Sequence, residues 1–338
     1  MKTSQMNDRR PRKPSFAPER LESRELMTGG VGDTFAIMPA KIVTAGGHTT
    51  AQFLLNPNLF TDPGHKPFVL GIDVAPNQGS AVNPIIRSVT TPSGKSLSVT
   101  HATFNPKITR TGPQAASGLS SGALVTIPGL PAADAKSILY KVNIDALDKT
   151  SGSVLVGFYL PGDANGDGIV NQSDINAIRY GLNTAANDHT GKYAFDADAN
   201  RDGLLNGKDL AIAQKNLGVG TTISPVISAK LDQASVTDAT HRITSHPTVG
   251  VTGTATPYSI ITYTMPTQAP TTVVASGAGT YNVMLNLKPG ANIYSVATAD
   301  AFGQKIAGSI NSITYDPAAR PSTTLAAPAQ HFTPPPSV

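Results

Sequence analysis

Apolar and polar positions along the chain fall into three regimes. Between residues 33 and 160, short β-type runs at 34–44, 49–57, 68–76, 83–92, 95–104, 122–130, 137–147 and 151–160 are broken by turn clusters such as Pro92-Ser93-Gly94. Runs of this length with Gly/Pro punctuation about every 12 residues predict an antiparallel β-sandwich. Residues 229–316 repeat the pattern and predict a second sandwich. Between them the period changes: Ile175, Ile178 and Leu182 recur as i, i+3, i+7, and so do Leu210, Ala213 and Leu217, with Gly218 as a stop. That spacing predicts two short helices. The expected fold is mainly β, two β-sandwich domains (33–160 and 229–316) flanking a small α module (161–219). Tails at 1–32 and 317–338 are polar and Pro-punctuated and read as disordered.

The small module carries the chemistry. Asp163, Asn165, Asp167, Gly168, Asn171 and Asp174 place oxygen side chains at loop positions 1, 3, 5, 9 and 12, with Gly at 6. Asp198, Asn200, Asp202, Gly203, Asn206 and Asp209 repeat the pattern. This is the spacing that wraps a backbone around a hard cation, position 7 adding a backbone carbonyl, here from Ile169 and Leu204. Each loop gathers three carboxylates, and like charges about 4 Å apart repel by roughly 4 kcal/mol in a partly shielded site. A divalent cation reverses that sign, and all-oxygen donors select Ca2+ over softer metals. Folding of the module is therefore expected to depend on two Ca2+ ions. Pro161 and Gly162 leave no room for an entering helix, so each unit reads as loop then helix.

Composition narrows the alternatives. The formal charge is +4, but residues 1–27 hold seven Lys/Arg against four Asp/Glu, so +3 of it sits in one tail. A near-neutral body with few aromatics argues against nucleic-acid binding. With no Cys, thiol catalysis and zinc-thiolate sites are excluded. None of the six Met lies between 150 and 220, so the module lacks the Met-lined groove of a calcium sensor. No apolar run reaches the roughly 18 to 20 residues that span a bilayer. The basic amino terminus, with its Arg9-Arg10 pair, is not followed by the apolar stretch of a secretory signal, which leaves the export route open.

Duplicated loop-helix units over about 55 residues resemble the type I dockerin module. The resemblance implies a calcium-ordered pair of antiparallel helices that docks its protein onto a cohesin sandwich. It places the partner face on Gln172, Ser173, Arg179 and Tyr180 in the first repeat, and on Gly207, Lys208, Gln214 and Lys215 in the second. These faces differ between repeats and lack a Ser-Thr pair, which leaves the partner open. Leu21-Glu22-Ser23-Arg24-Glu25-Leu26-Met27 resembles the LEPR-x-LL segment of planctomycete surface and secreted proteins. Val251-Thr252-Gly253-Thr254-Ala255 and the segment from Ile293 to Gly303 resemble the opening and closing of bacterial immunoglobulin-like repeats. Together these imply an extracellular or cell-surface modular protein, with polysaccharide as a further potential ligand.

An enzyme reading finds little support. Glycosidases need paired carboxylates, and Glu is absent after residue 25. Outside the loops the sparse Asp residues, several of them beside Gly, Pro or Thr, where a turn role is the simpler account, offer no such pair, and His48, His65, His101, His241 and His246 are scattered. Asp62 and His65 form the one tempting pair, for which a turn is the simpler account. The expectation is a non-catalytic protein that binds two Ca2+ for docking or assembly. Its rival is a calcium-rigidified spacer or adhesin without a partner, with a polysaccharide-acting hydrolase third.

Overall fold

The structure, a computed structural model, describes residues 34–55, 60–61, 66–105, 116–129, 138–182, 197–202, 204–221, 227–238, 242–266, 268–299, 302 and 305–320. The tails at 1–32 and 321–338, the LEPR-like segment, Asp62, His65, Gly203, His241 and Gly303 lie outside these residues. Strands β1 (Thr34–Ile42), β2 (His48–Leu55), β3 (Phe60–Thr61), β4 (Phe68–Pro76), β5 (Asn83–Thr90), β6 (Val99–Asn105), β7 (Ser120–Ile127), β8 (Ile138–Leu147) and β9 (Gly152–Tyr159) come first. Helices α1 (Gln172–Gly181) and α2 (Gly207–Lys215) follow, then β10 (Gly220–Thr221). The remaining strands are β11 (Ser228–Leu231), β12 (Ile243–Thr244), β13 (Thr248–Thr254), β14 (Ile260–Thr264), β15 (Thr271–Val274), β16 (Thr280–Asn286), β17 (Gly290–Ala299) and β18 (Lys305–Tyr315).

The first β body has a five-stranded sheet in the order β1-β9-β4-β7-β6 and a three-stranded sheet β2-β8-β5, all antiparallel. Strands of the smaller sheet alternate as a half-buried sheet should: in β8, Tyr140, Val142, Ile144 and Ala146 are buried and the residues between them are not. Phe53 of β2 stacks on Tyr140 at 5.3 Å and meets Phe158 of β9 at 4.3 Å, joining the two sheets through one core.

Central strands of the larger sheet behave differently. Every residue of β4 is buried, as are the last six of β9. Leu70, Ile72 and Val74 point into the shared core, while Val69, Gly71, Asp73 and Ala75 line the opposite face beside Leu155, Gly157 and Tyr159. Burial on both faces means that this outer surface is covered. Phe302 covers one part of it, fully buried against Ile37, Ala75 and Leu155. The module covers another.

The second β body has sheets β11-β13-β16 and β12-β18-β17-β14-β15 around a core that includes Val249, Val251, Ile261, Tyr263, Leu285 and Val296. Its strands pair antiparallel except β12 with β18, which run parallel. In β16 and β17 burial alternates residue by residue, the mark of sheets with one wet face.

The two helices do not form a separate globule. Ala164, Val170, Ile175, Ala177, Ile178, Ala197, Leu205, Ala213 and Val219 belong to the same core cluster as the first β body. Three expected apolar positions differ from the periodicity: Leu182 and Leu210 are only partly buried and Leu217 is half exposed, its place in the contact taken by Asn216 at 0 % exposure. A polar residue there is stable because each of its side-chain groups finds a backbone partner.

Candidate metal centre

In both repeats the loop passes directly into its helix, and the same residues serve both. Asn171, at loop position 9, is the N-cap of α1, accepting from the Ser173 N–H at 2.7 Å; Asp174, at position 12, is the third helical residue and accepts from the Asn171 N–H at 2.8 Å. Asn206 and Asp209 form the same capping box on α2, with contacts of 2.9 and 2.7 Å. The loop spacing thus also satisfies the open N–H groups at the start of each helix. No helix enters either loop among the described residues. Tyr159 ends β9 and Asp163 follows after the turn at Pro161-Gly162.

Backbone N–H groups hold the acidic side chains facing one another. Asp163 accepts from the N–H of Asp167 at 3.1 Å and of Gly168 at 2.8 Å, and Asp174 accepts a second bond from Asn165 at 3.1 Å. Asp163, Asp167 and Asp174 bring carboxylate oxygens within 4.8 Å of one another, the one acidic cluster this close among the described residues. The second loop repeats the frame: the Asp202 N–H donates to the side chains of Asp198 and Asn200 at 3.2 and 2.8 Å, and the Asn200 N–H donates to the Asp209 carboxylate at 3.2 Å. Lys208 lies 3.7 Å from Asp202 there, a largely exposed contact.

Burial agrees between the loops at positions 1, 9 and 12 and differs at positions 3 and 5. Asp163, Asp174, Asp198 and Asp209 are buried; Asn165 and Asp167 are exposed, Asn171, Asn200, Asp202 and Asn206 half-buried. The side chains of Ile169 and Leu204 are exposed, and their backbone carbonyls accept from the side-chain amides of Asn171 and Asn206 at 3.2 Å each. Burial pushes the carboxyls of Asp174 and Asp209 above the ordinary range. Their backbone hydrogen bonds oppose that shift, and the nearby charges of Asp167 and Asp202 add to it. A buried, crowded carboxylate whose proton is hard to remove is one that a divalent cation stabilises. The donor set, all hard oxygen with no nitrogen or sulfur, fits Ca2+.

The eight positions expected to face a partner, Gln172, Ser173, Arg179, Tyr180, Gly207, Lys208, Gln214 and Lys215, are all exposed. Tyr180 is 88 % exposed, and Ile169, Leu204 and Leu217 are further large apolar side chains open to solvent on the same 58-residue module.

What the sequence pattern missed is the seam between the second loop and the first β body. Arg201, at loop position 4, forms a buried ion pair with Asp73 of β4, and its guanidinium lies 3.6 Å from the ring centroid of Tyr159. The Tyr159 hydroxyl donates to the carbonyl of Ala199 at 3.3 Å. Gly71, paired with Tyr159 across the sheet, leaves room for that ring: a Cβ there would lie 2.1 Å from it. Asn216 accepts from the Val69 N–H at 2.7 Å and donates to the Val69 and Pro161 carbonyls at 2.9 and 2.8 Å. Finally β10 pairs with β3 of the first β body. A carboxylate inside the buried strand β4 is thus matched by a guanidinium from the module. Asp148 sits in a turn, with φ 53°. His48 lies in β2, His101 in β6 and His246 in an exposed bend.

Residues 161–218 match the family described as Dockerin type I domain. Domains of that family bind Ca2+, serve calcium-dependent docking onto cohesins, and are themselves non-catalytic. No curated protein matches the chain significantly. Among solved structures the chain is similar to "Biofilm associated protein - BSP domain", at 9 % identity and a TM-score of 0.20, with 86 % of this chain and 53 % of that chain covered. It is also similar to a β-1,2-glucanase from Parabacteroides distasonis, at 10 % identity and a TM-score of 0.23, with 86 % and 38 % covered. The chain spans about half or less of the length of these structures, and at such TM-scores neither likeness bears on fold or activity.

Proposed function

We propose that this chain is a non-catalytic, modular surface or secreted protein whose dockerin module binds two Ca2+ ions and docks to a partner protein, with a β-sandwich on either side. The first ion is held by Asp163, Asn165, Asp167, the Ile169 carbonyl, Asn171 and Asp174. The second is held by Asp198, Asn200, Asp202, the Leu204 carbonyl, Asn206 and Asp209. The observation that carries the docking reading is the outward face of the module: all eight expected partner positions are open to solvent. Tyr180 and Arg179 among them are of the types that most often anchor interfaces. Attachment to polysaccharide-degrading or envelope assemblies is the use that such a module serves best in a surface protein.

A second reading, a calcium-rigidified spacer without a partner, is favoured by the shared core of module and first β body. Calorimetry on the full chain separates the two. Uptake of two Ca2+ followed by binding of a purified cohesin sandwich, lost in chelator and lost on Tyr180→Ala with Arg179→Ala, supports docking. Two Ca2+ with no cohesin binding leaves the spacer, and no Ca2+ uptake defeats both.

A further inference from the structure

The two loops differ at position 4, and the difference is structural. In the first loop that residue is Gly166, with φ 71°, a left-handed conformation that glycine adopts freely. In the second it is Arg201, with φ 55°, a conformation that side-chain-bearing residues rarely adopt. What holds Arg201 there is its side chain, 3 % exposed, which leaves the loop and pairs with the buried Asp73 while stacking over Tyr159. Tyr159 grips the same loop one residue before a ligand position, through the Ala199 carbonyl. The first loop has no counterpart at its position 4, since Gly166 carries no side chain.

We infer that Arg201 is a positioning residue for the second calcium site: it ties loop position 4 to Asp73 and Tyr159, so that the first β body sets the metal affinity of that loop and not of the other. This rests on the calcium-binding reading of the loops. Positions 3 and 5, Asn200 and Asp202, flank Arg201 directly, so fixing its backbone fixes the direction of both side chains before the ion arrives. Preorganisation of this kind raises affinity by removing an ordering cost from the binding step. Coupling is reciprocal, so the ion at this loop in turn strengthens the seam along β4 and β9. Arginine suits the role because a planar guanidinium can pair with a carboxylate and lie on an aromatic face at once, which an ammonium cannot.

The test uses the full chain with one loop silenced at a time, Asp163→Asn for the first and Asp198→Asn for the second, and Ca2+ affinity read by calorimetry. Into each background go Arg201→Gly and Asp73→Ser together. The pair is removed as a unit, leaving net charge unchanged and no lone buried ion, and position 4 becomes the residue of the first loop. The expected result is a loss of about tenfold in affinity at the second loop, with less than about twofold change at the first. Unchanged affinity at the second loop, or equal loss at both, overturns the inference, because a pair that merely stabilised the fold would not act on one site. Should the double variant fail to fold, Arg201→Lys keeps the charge but not the stacking plane. A smaller loss confined to the second loop is then expected, and no loss overturns the inference. A wild-type chain that takes up no Ca2+ defeats the calcium reading itself, a separate outcome.

Discussion

The first and second loop-helix units have the same ligand pattern, the same capping box and nearly the same hydrogen-bond lengths, yet they stand in different surroundings. The first unit follows β9 directly and presents Asn165, Asp167 and Tyr180 to water. The second lies with Arg201 and Asn216 buried against the outer face of the larger sheet. Local sequence thus builds two acidic loops of one pattern, and tertiary contact makes one of them part of another unit's core. The lesson is that a repeat in sequence need not be a repeat in energetics.

The sharpest way to break this comparison is to remove the two position-4 residues in turn. Arg201→Ala strands the buried Asp73 carboxylate and is expected to cost about 3–5 kcal/mol, against about 1–2 kcal/mol for Gly166→Ala, which only forces a side chain into a left-handed backbone. Urea unfolding followed by tyrosine fluorescence measures both; equal costs would mean the units are equivalent after all. Next, Asn216→Ala leaves the Val69 N–H and two carbonyls without their partners, for about 2–3 kcal/mol. Gly181→Ala, the matching position of the first repeat, is expected to be neutral or to stabilise by about 0.5 kcal/mol.

Two smaller effects should fall equally on both units. Asn171→Ala and Asn206→Ala each remove an N-cap, for about 1 kcal/mol of stability in chelator, and a clear inequality would show that the seam reaches the helix starts. The last concerns pH. The raised carboxyls of Asp174 and Asp209 favour the protonated folded form, so in the metal-free chain their contribution to stability is fully present below the unfolded value of about 3.9. It is lost as pH rises through the higher folded values. Helix content by circular dichroism in chelator should fall with rising pH over that window, less so in Asp174→Asn with Asp209→Asn. Ca2+, which replaces the proton, should reverse the trend.

The strands were legible in the sequence: each of the eight apolar runs before residue 160 contains a strand, because alternation and turn residues act over a few positions. The loops and their exit helices were legible for the same reason. The seam was not, though it left two traces. One is a charged residue inside the otherwise apolar run Val69-Leu70-Gly71-Ile72-Asp73-Val74; the other is an arginine where the sister loop has glycine. Each is unremarked alone, since neither side chain names its partner. Leu217 misled for a related reason: helical periodicity marks an apolar stripe, but whether a core lies against its last turn depends on segments far away in the chain.

By itself, then, the sequence determined the two acidic loops, their caps and their helices, because carboxylate and capping groups at positions 1 to 12 of a loop are neighbours whatever the rest of the chain does. Only the tertiary structure decided that an arginine anchors the second loop to β4, while the first loop meets β10 through Gly168 and Ile169. That decision rests on groups such as Asn216 and Val69, 147 residues apart. Chain folding alone brings them within hydrogen-bonding distance, and no local pattern records it.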